Sequence, residues 1–546
     1  MHDADRTRVE WRPWGEDAFA AADRSGKPVL LSLVAPWCEW CRRMDDRVFD
    51  DPRIAANVND GFVPVRVDAD RNPMVRERYT MGGFPSTVFL TPDGEVISGA
   101  TFLDDEGFRG ILDRVREAWD ARGAEAGRIP RAVRERGTRP GDPAEVERHV
   151  AGQVESQYDD ENAGWGTDAK FPLPRTIEFA LTRERTAARN TLAAIQRSLR
   201  DPYDGGFYRY AGERDWSEPQ REKLLDTNAA LCRAFANAYL VTGEDRYRET
   251  AAETVDYLTT TLWTGDAFGG SQEPGDYFSK PPSDRASAEE PPIDETAFAD
   301  RNALAADALL THHAYTDADI AGRYAERALD FLADELVSEG VVAHYDDPEA
   351  PRGLLADHAH VAGAFARAAQ VLDPSYLDTA RAVADSAIET LRGEDDGFVD
   401  GPTGDAGLCD RPLHPLDDNA HLANALVDLH ALTGDARYGK VARAAVAAFA
   451  GAAPRMGPQV AAYATAASRV SRTPLRIAVA TDPGTDLHLA ALRMADHEKV
   501  VVPNAGGDCL PESSFERGAA YVLRGEETSR PACTPDELLA RVADVA

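Results

Sequence analysis

Apolar and polar positions change their period twice along the chain. In residues 1–122 short apolar runs alternate with amphipathic stretches. WGEDAFAAADRSG (14–26) has helical spacing and a glycine stop, and PVLLSLVA (28–35) reads as an apolar strand with a cysteine pair after it at a helix start. DPRIAANVND predicts a second short helix and FVPVRVDAD a second strand. STVFLTPDGEVI, with Pro-Asp-Gly at its turn, predicts a hairpin, and DDEGFRGILDRVREAWDARG a closing helix. This β-α-β-α-β-β-α order implies a mixed sheet flanked by helices. Residues 123–142, rich in Arg, Gly and Pro, read as a linker.

From 143 to 470 the period is helical and the segment repeats. DTNAALCRAFANAYLVTGEDRY (226–247) aligns without gaps to DDNAHLANALVDLHALTGDARY (417–438). DRNALAADALLTHHAYTDADIAGRY from Asp300 is a third copy, and DHAHVAGAFARAAQVL from Asp357 a looser fourth. The copies start roughly 60 to 75 residues apart, longer than common solenoid repeats. Each is a helix, a turn and a second helix, with DGGFYRY, DAFGGSQE and DGFVDG between the pairs. Helical hairpins with glycine-rich returns predict a closed (α/α)6 toroid. Residues 471–546 revert to α/β, with PLRIAVA and EKVVVP as strands around the helix TDLHLAALRMADH, as a small third unit or a cap on the toroid. The fold class is therefore multidomain, α/β plus all-α.

Charge removes some functions. With 94 acidic against 60 basic residues the formal charge is −34, and only six basic residues are lysine, so a nucleic-acid face is not expected. An even carboxylate coat resembles the proteins of cells that keep molar salt, where the Debye length falls to about 3 Å. No signal-like start and no apolar run of about 18 residues occurs, so a cytoplasmic protein without membrane contact is expected. Of six cysteines only Cys38 and Cys41 are close, which argues against a secreted disulfide framework.

Cys38 and Cys41, in APWCEWCRRM, each follow a tryptophan, Trp37 and Trp40. At a helix start the first sulfur faces the positive end of the helix dipole and unpaired N–H groups, which favours thiolate, and the second, one turn on, can resolve a mixed disulfide. A zinc site needs four ligands, and no second CxxC or HxxxH is present; no metal and no cofactor beyond the cysteine pair is assigned. Redox work, a buried inert pair and a zinc site recruiting distant residues stand as the alternatives.

The segment resembles a thioredoxin-like domain, with Cys38, Cys41 and Pro85 at that superfamily's motif positions; the resemblance implies a cis Phe84-Pro85 bond and a protein thiol or disulfide as partner. It departs in two places. The acid that thioredoxins bury six residues before the first cysteine is Ser32, and Glu39 between the cysteines should raise the Cys38 pKa, which predicts a reducing, slow-reacting pair. WRPWGEDAFAAADRSGKPVLLS, CEWCRRMDDRVFDDPRIAANVNDGFVPVRVD and GGFPSTVFLTPDGEV, with GWGTDAKFP, GGFYRY and EKLLDTNA further on, resemble the spermatogenesis-associated protein 20 family. That resemblance implies a thioredoxin-like domain fused to a six-hairpin glycosidase-like toroid. Gln220, Arg221 and Tyr208 replace family motif residues, among them histidines, so no histidine acid/base role carries over to these positions.

In such a toroid recurrent polar residues at inner helix starts can line a pocket. Asp226, Asn228, Asp300, Asn302, Asp417 and Asn419, with Trp165, Tyr208, Glu222 and Glu273, are candidates for a small carbohydrate-like ligand, and His358, His360 and His421 for bases. The competing reading makes the Asp and Asn residues repeated helix N-caps. The functions that follow are a thiol-disulfide oxidoreductase with a ligand- or partner-binding toroid, a carbohydrate-active enzyme (epimerase or glycosidase-like) with a regulatory thioredoxin-like domain, or a non-catalytic scaffold.

Overall fold

A computed structural model describes residues 7–134, 137–404, 406–510, 514–525 and 527–545, and the chain forms two compact units. The first comprises Met1–Gly137, Ser271–Asp294 and Asp400–Leu413. Its elements are α1 (Glu16–Ser25), β1 (Val29–Val34), α2 (Glu39–Met44), α3 (Pro52–Gly61), β2 (Val63–Asp68), α4 (Pro73–Tyr79), β3 (Ser86–Leu90), β4 (Val96–Ala100) and α5 (Asp105–Arg122). The sheet order is β2-β1-β3-β4, with β1 parallel to β2 and antiparallel to β3. Every residue of β1 is buried, because both sheet faces are covered. Val29, Leu31 and Leu33 pack with Phe19 and Tyr79, whereas Leu30 packs with Met44, Phe49 and Ile54. Asp51 and Asp104 cap α3 and α5 through their carboxylates.

Two short segments from far along the sequence complete this unit. Ala406, Leu408 and Cys409 enter the cluster that holds Phe19, Leu31 and Tyr79. The Tyr79 hydroxyl donates to the Gly94 carbonyl at 3.0 Å and accepts the Leu408 N–H at 2.7 Å. Gly94 (φ 78°) touches Gly407 so closely that a Cβ on it would lie 2.5 Å from the Gly407 Cα. The unit is thus larger than residues 1–122: it takes in part of the expected linker and two excursions from the expected toroid.

The second unit comprises Thr138–Gly270, Glu295–Val399 and His414–Ala546. Outer and inner helices alternate: α6 (Pro143–Ser156) and α7 (Pro174–Arg183); α8 (Arg185–Ser198) and α9 (Leu225–Thr242); α10 (Asp245–Tyr257) and α11 (Ala299–Thr316). Then come α12 (Asp319–Phe331) and α13 (Leu355–Val371), α14 (Leu377–Thr390) and α15 (Leu416–Thr433), and α16 (Ala436–Ala450) and α17 (Ala461–Ser471). Among the described residues the six inner helices α7, α9, α11, α13, α15 and α17 pack side by side in that order, and α17 returns to α7, closing the (α/α)6 ring. The inner helices are rich in alanine and buried on most of their circumference, which leaves each only a narrow polar side. Gly243 and Gly434 end α9 and α15 in the left-handed conformation; Asp317 does so for α11, at φ 57°.

The carboxyl-terminal elements are β5 (Arg476–Val479), α18 (Asp486–Leu492), β6 (Val500–Val502), β7 (Ala520–Arg524), β8 (Glu527–Thr528) and α19 (Pro535–Val545), with sheet order β6-β5-β7-β8. They sit on the carboxyl ends of the inner helices: His488 Nε2 lies 2.8 Å from the Gln370 carbonyl, and Leu510 N–H donates to Leu432 at 2.9 Å. Of the two sequence expectations for this region, the cap is what the fold contains. Among the described residues no helix is long and apolar enough to cross a membrane.

Candidate functional site

The cysteine pair lies where β1 hands over to α2. Cys38 is the residue before α2 and Cys41 is one turn in; they form a disulfide with Cα atoms 5.2 Å apart. The Cys41 N–H donates to Cys38 Sγ at 3.0 Å, which places the sulfur at the donor-rich end of the helix. Both sulfurs are in buried residues, and Phe84-Pro85 is cis. Trp37 is fixed by a bond from its indole N–H to Asp70 at 2.8 Å and by an edge contact with Phe84, whereas Trp40 is 41% exposed.

Ser32 is fully buried on β1 and its hydroxyl has no hydrogen-bond partner among the described residues. By strand alternation it shares the face of Leu30, the side packed against Met44 of α2. The carboxylate expected to oppose the Cys38 thiolate is itself compensated: Glu39 pairs with Arg43 one turn on, and Arg43 lies 4.5 Å from the Trp40 ring centre. Arg42, next to Cys41, pairs with Glu273 at 2.5 Å and donates to the Pro274 carbonyl at 3.1 Å. Glu273 therefore belongs to the amino-terminal unit and to the surroundings of the cysteines, not to a toroid pocket. Asp68, at the end of β2, is pushed up to about 6 by burial and then by the charges of Asp70 and Asp294.

In the toroid, the repeated asparagines neither cap helices nor face a pocket. The capping positions are Leu224, Phe298 and Pro415, none with a side-chain cap, so Asp226, Asp300 and Asp417 are second residues of their helices and Asn228, Asn302 and Asn419 fourth. Each asparagine closes a two-way clamp on a phenylalanine backbone. Asn302 Oδ1 accepts the Phe268 N–H (2.9 Å) while Nδ2 donates to the Phe268 carbonyl (3.0 Å); Asn228 does the same to Phe207 and Asn419 to Phe398. These phenylalanines are the ones in DAFGG, GGFYRY and DGFVDG. In α13 the fourth position is His358, whose Nδ1 lies 2.8 Å from the Leu354 carbonyl, so the fourth repeat starts at Ala356, one residue before the sequence alignment put it.

The remaining candidates disperse. Trp165 is buried with its indole N–H on the Val154 carbonyl, Tyr208 is buried, and Glu222 meets Arg209 at 3.4 Å. Lys170 of GWGTDAKFP and Lys223 of EKLLDTNA, both fully buried, form ion pairs of 2.8 Å with Asp159 and Asp201, which gives those motifs a structural role. Asp300, His344 and Asp357 bring one ligand atom each within 4.8 Å, with His344 Nδ1 2.9 and 3.0 Å from the two Asp357 oxygens. Burial raises Asp357; burial also opposes ionisation of Asp300, but the charges of His344, Arg301 and His360 bring it below the usual range.

The ring does enclose a cavity, deeper than the helix starts, of about 120 Å³. Of the predicted residues only His360 and His421 line it, their ring centres 4.4 Å apart. Burial holds both well below the ordinary histidine range, His360 at about 4, so both are neutral at pH 7. Arg233, Asp307 and Asn424 occupy one repeat position and Arg367 and Asp428 another, all in the lining. Charged residues recurring in mid-helix on alanine-rich helices are the sequence signal for this cavity, whereas the polar residues at the helix starts lie outside it.

Residues 1–135 match the family model described as "Thioredox_DsbH: Protein of unknown function, DUF255". The amino-terminal domain is thioredoxin-like. The resemblance to the spermatogenesis-associated protein 20 family also stands: that protein of Homo sapiens is 29% identical over 292 residues, covering 46% of this chain. The match spans 37% of the relative's length, just over a third. Thiol:disulfide interchange protein DsbD 1 of Pseudomonas aeruginosa is 32% identical over 105 residues, 18% of each chain. Among solved structures, a sugar epimerase from a ruminal bacterium overlays with a TM-score of 0.46 at 11% identity, covering 56% of this chain and 85% of that one.

Proposed function

We propose that the thioredoxin-like domain is a thiol-disulfide oxidoreductase working through Cys38 and Cys41. The observation that carries this reading is the Cys41 N–H on Cys38 Sγ at the start of α2, a contact that stabilises a thiolate there. In the reducing direction the Cys38 thiolate attacks a partner disulfide, forming a mixed disulfide and releasing one partner thiolate. Cys41, deprotonated, then attacks Cys38 Sγ; the second partner thiolate leaves, and the two electrons reside in the partner's dithiol. An external dithiol reductant returns the pair to its reduced state. Ser32 offers no carboxylate to take the Cys41 proton, which makes the second step the slow one.

The test is a Cys41→Ser variant presented with insulin. Wild-type protein is expected to accelerate insulin reduction by dithiothreitol, Cys38→Ser to give background rate, and Cys41→Ser to accumulate a covalent adduct visible by mass spectrometry. Wild-type rates no faster than dithiothreitol alone, with no adduct, overturn the reading. A cytoplasm of high salt is part of the same proposal, supported by the charge of −34. Raising KCl from about 0.2 M to about 2 M should then raise the melting temperature, since screening relieves carboxylate repulsion; a falling melting temperature rejects it.

A further inference from the structure

The toroid cavity is lined by more hydrogen-bond donors than its own acceptors absorb. Arg233 spans two acids, with Nε and Nη2 on Glu178 at 2.8 and 2.9 Å and Nη1 on Asp307 at 2.5 Å. Arg367 Nε takes the other Asp307 oxygen at 3.3 Å, and Arg175 Nη1 reaches Glu178 at 3.1 Å. Both oxygens of both acids are then occupied. The terminal nitrogens of Arg367 and the Nε and Nη2 of Arg175 have no protein hydrogen bond among the described residues, nor have the rings of His360 and His421, each of which, being neutral, offers one donor and one acceptor to the cavity. Arg175 and Arg367 keep 22% and 21% of their side-chain surface exposed, so these guanidinium nitrogens are open to an acceptor-rich occupant that enters from solvent.

Charge and shape narrow its class. Among the described residues five cations line the cavity (Arg175, Arg233, Arg367, Arg469 and Lys499) against four acids (Glu178, Asp307, Asp428 and Glu498), a formal excess of one positive charge in a chain of net −34. Among the described residues no Trp, Tyr or Phe is in the lining, so none of them offers an aromatic platform for the apolar face of a sugar ring. Guanidinium groups present paired donors that match the oxygens of carboxylates and phosphates. We propose that this cavity is a binding site for a small oxyanion-bearing metabolite, a carboxylate or phosphate compound, held by Arg175 and Arg367 and by the paired imidazoles of His360 and His421.

Two groups facing the site make its charge depend on pH. Burial pushes Glu178 up to about 7, with Arg175 and Arg367 opposing and Asp307 adding to the effect; burial pushes Lys499 down to about 7, with Asp496 opposing and Arg367 adding. Below pH 7 Glu178 is neutral and Lys499 charged; above it Glu178 is charged and Lys499 neutral. The cavity therefore loses two units of positive charge as pH rises through 7, and oxyanion binding weakens in the same direction.

The proposal is independent of the cysteine chemistry, and the double variant Cys38→Ser/Cys41→Ser should bind as wild type does. Calorimetric titration of the full chain in fixed KCl with sulfate, malonate and glucose tests it; sulfate keeps its charge across the pH range used. The expected result is saturable 1:1 binding of sulfate or malonate, with glucose at least ~10-fold weaker, and oxyanion affinity falling ~10-fold or more from about pH 6 to about pH 8. Tighter sulfate marks a phosphate-type ligand and tighter malonate a carboxylate. Arg367→Gln should weaken binding at least ~10-fold. Because that change also releases Asp307, His421→Ala serves as the second variant, its ring having no protein hydrogen bond to lose. Glucose matching the anions, no saturable binding of either anion, or unchanged affinity in a folded His421→Ala protein each overturns the assignment.

Discussion

Replacing Asn302 by alanine is expected to cost about 2–6 kcal/mol of unfolding free energy, because it strands a buried donor and a buried acceptor at about 1–3 kcal/mol each. Asn302 is fully buried, and its amide saturates both the N–H and the carbonyl of Phe268, while Nδ2 also reaches the Phe298 carbonyl at 3.0 Å. Phe298 keeps the Asn302 backbone N–H, so the damage falls on Phe268. Asn228→Ala and Asn419→Ala should behave alike, since each makes the same three bonds, to Phe207 and Leu224 and to Phe398 and Pro415. Asn302→Asp should not rescue: the carboxylate accepts the N–H but meets two carbonyl oxygens where the amide had donated. Urea midpoints at fixed KCl measure this, and a loss under about 1 kcal/mol would mean that water replaces the amide.

The second large effect is expected at Arg78, whose side chain is fully buried within the amino-terminal unit. Its fork donates to the carbonyls of Met74 (3.0 Å), Leu408 (2.8 Å) and Arg411 (2.5 Å) and to Asp400 at 2.6 and 3.3 Å. Asp400 is 8% exposed and accepts the Leu413 N–H besides. Arg78→Ala therefore leaves a carboxylate buried with one neutral donor, and a loss of about 3–5 kcal/mol is expected. Lysine lacks the planar fork and should recover only part of it. The Asp400→Asn/Arg78→Ala double variant should be less unstable than Arg78→Ala alone, because the unpaired charge is gone. Equal stability of all three variants would show that the pair carries no energy, and limited proteolysis within 400–413 reports loosening of that segment directly.

Much of this architecture is written in local pattern, and its limits are physical. The run VLLSLV names β1 because a strand covered on both faces needs no polar position, and the cysteine pair after it follows from the turn into α2. The toroid is visible because three inner helices keep one register over eighteen residues. The role of the repeated asparagines was hidden, since their partners lie 21 or 34 residues upstream in loops of irregular backbone. Their helices begin one residue before the aspartates, which is why the capping reading fails. Glu273 shares a polar segment with nothing to mark its partner Arg42, 231 residues away. Cavity residues such as Arg233 and Arg367 are isolated charges on alanine-rich helices, and only ring closure turns that face inward.

The late completion of the amino-terminal unit bears on synthesis. Its first 137 residues leave the ribosome with the hydrophobic ground around Phe19 and Tyr79 uncovered, and Leu408 and Cys409 follow some 270 residues later. At about 5–20 residues per second that interval is roughly 14 to 54 s, long compared with the folding of a small domain. The nascent thioredoxin-like fold must therefore survive tens of seconds with an unfinished apolar face, a window in which a chaperone, or a neighbouring nascent chain, competes for the surface that the chain's own distant segment finally covers.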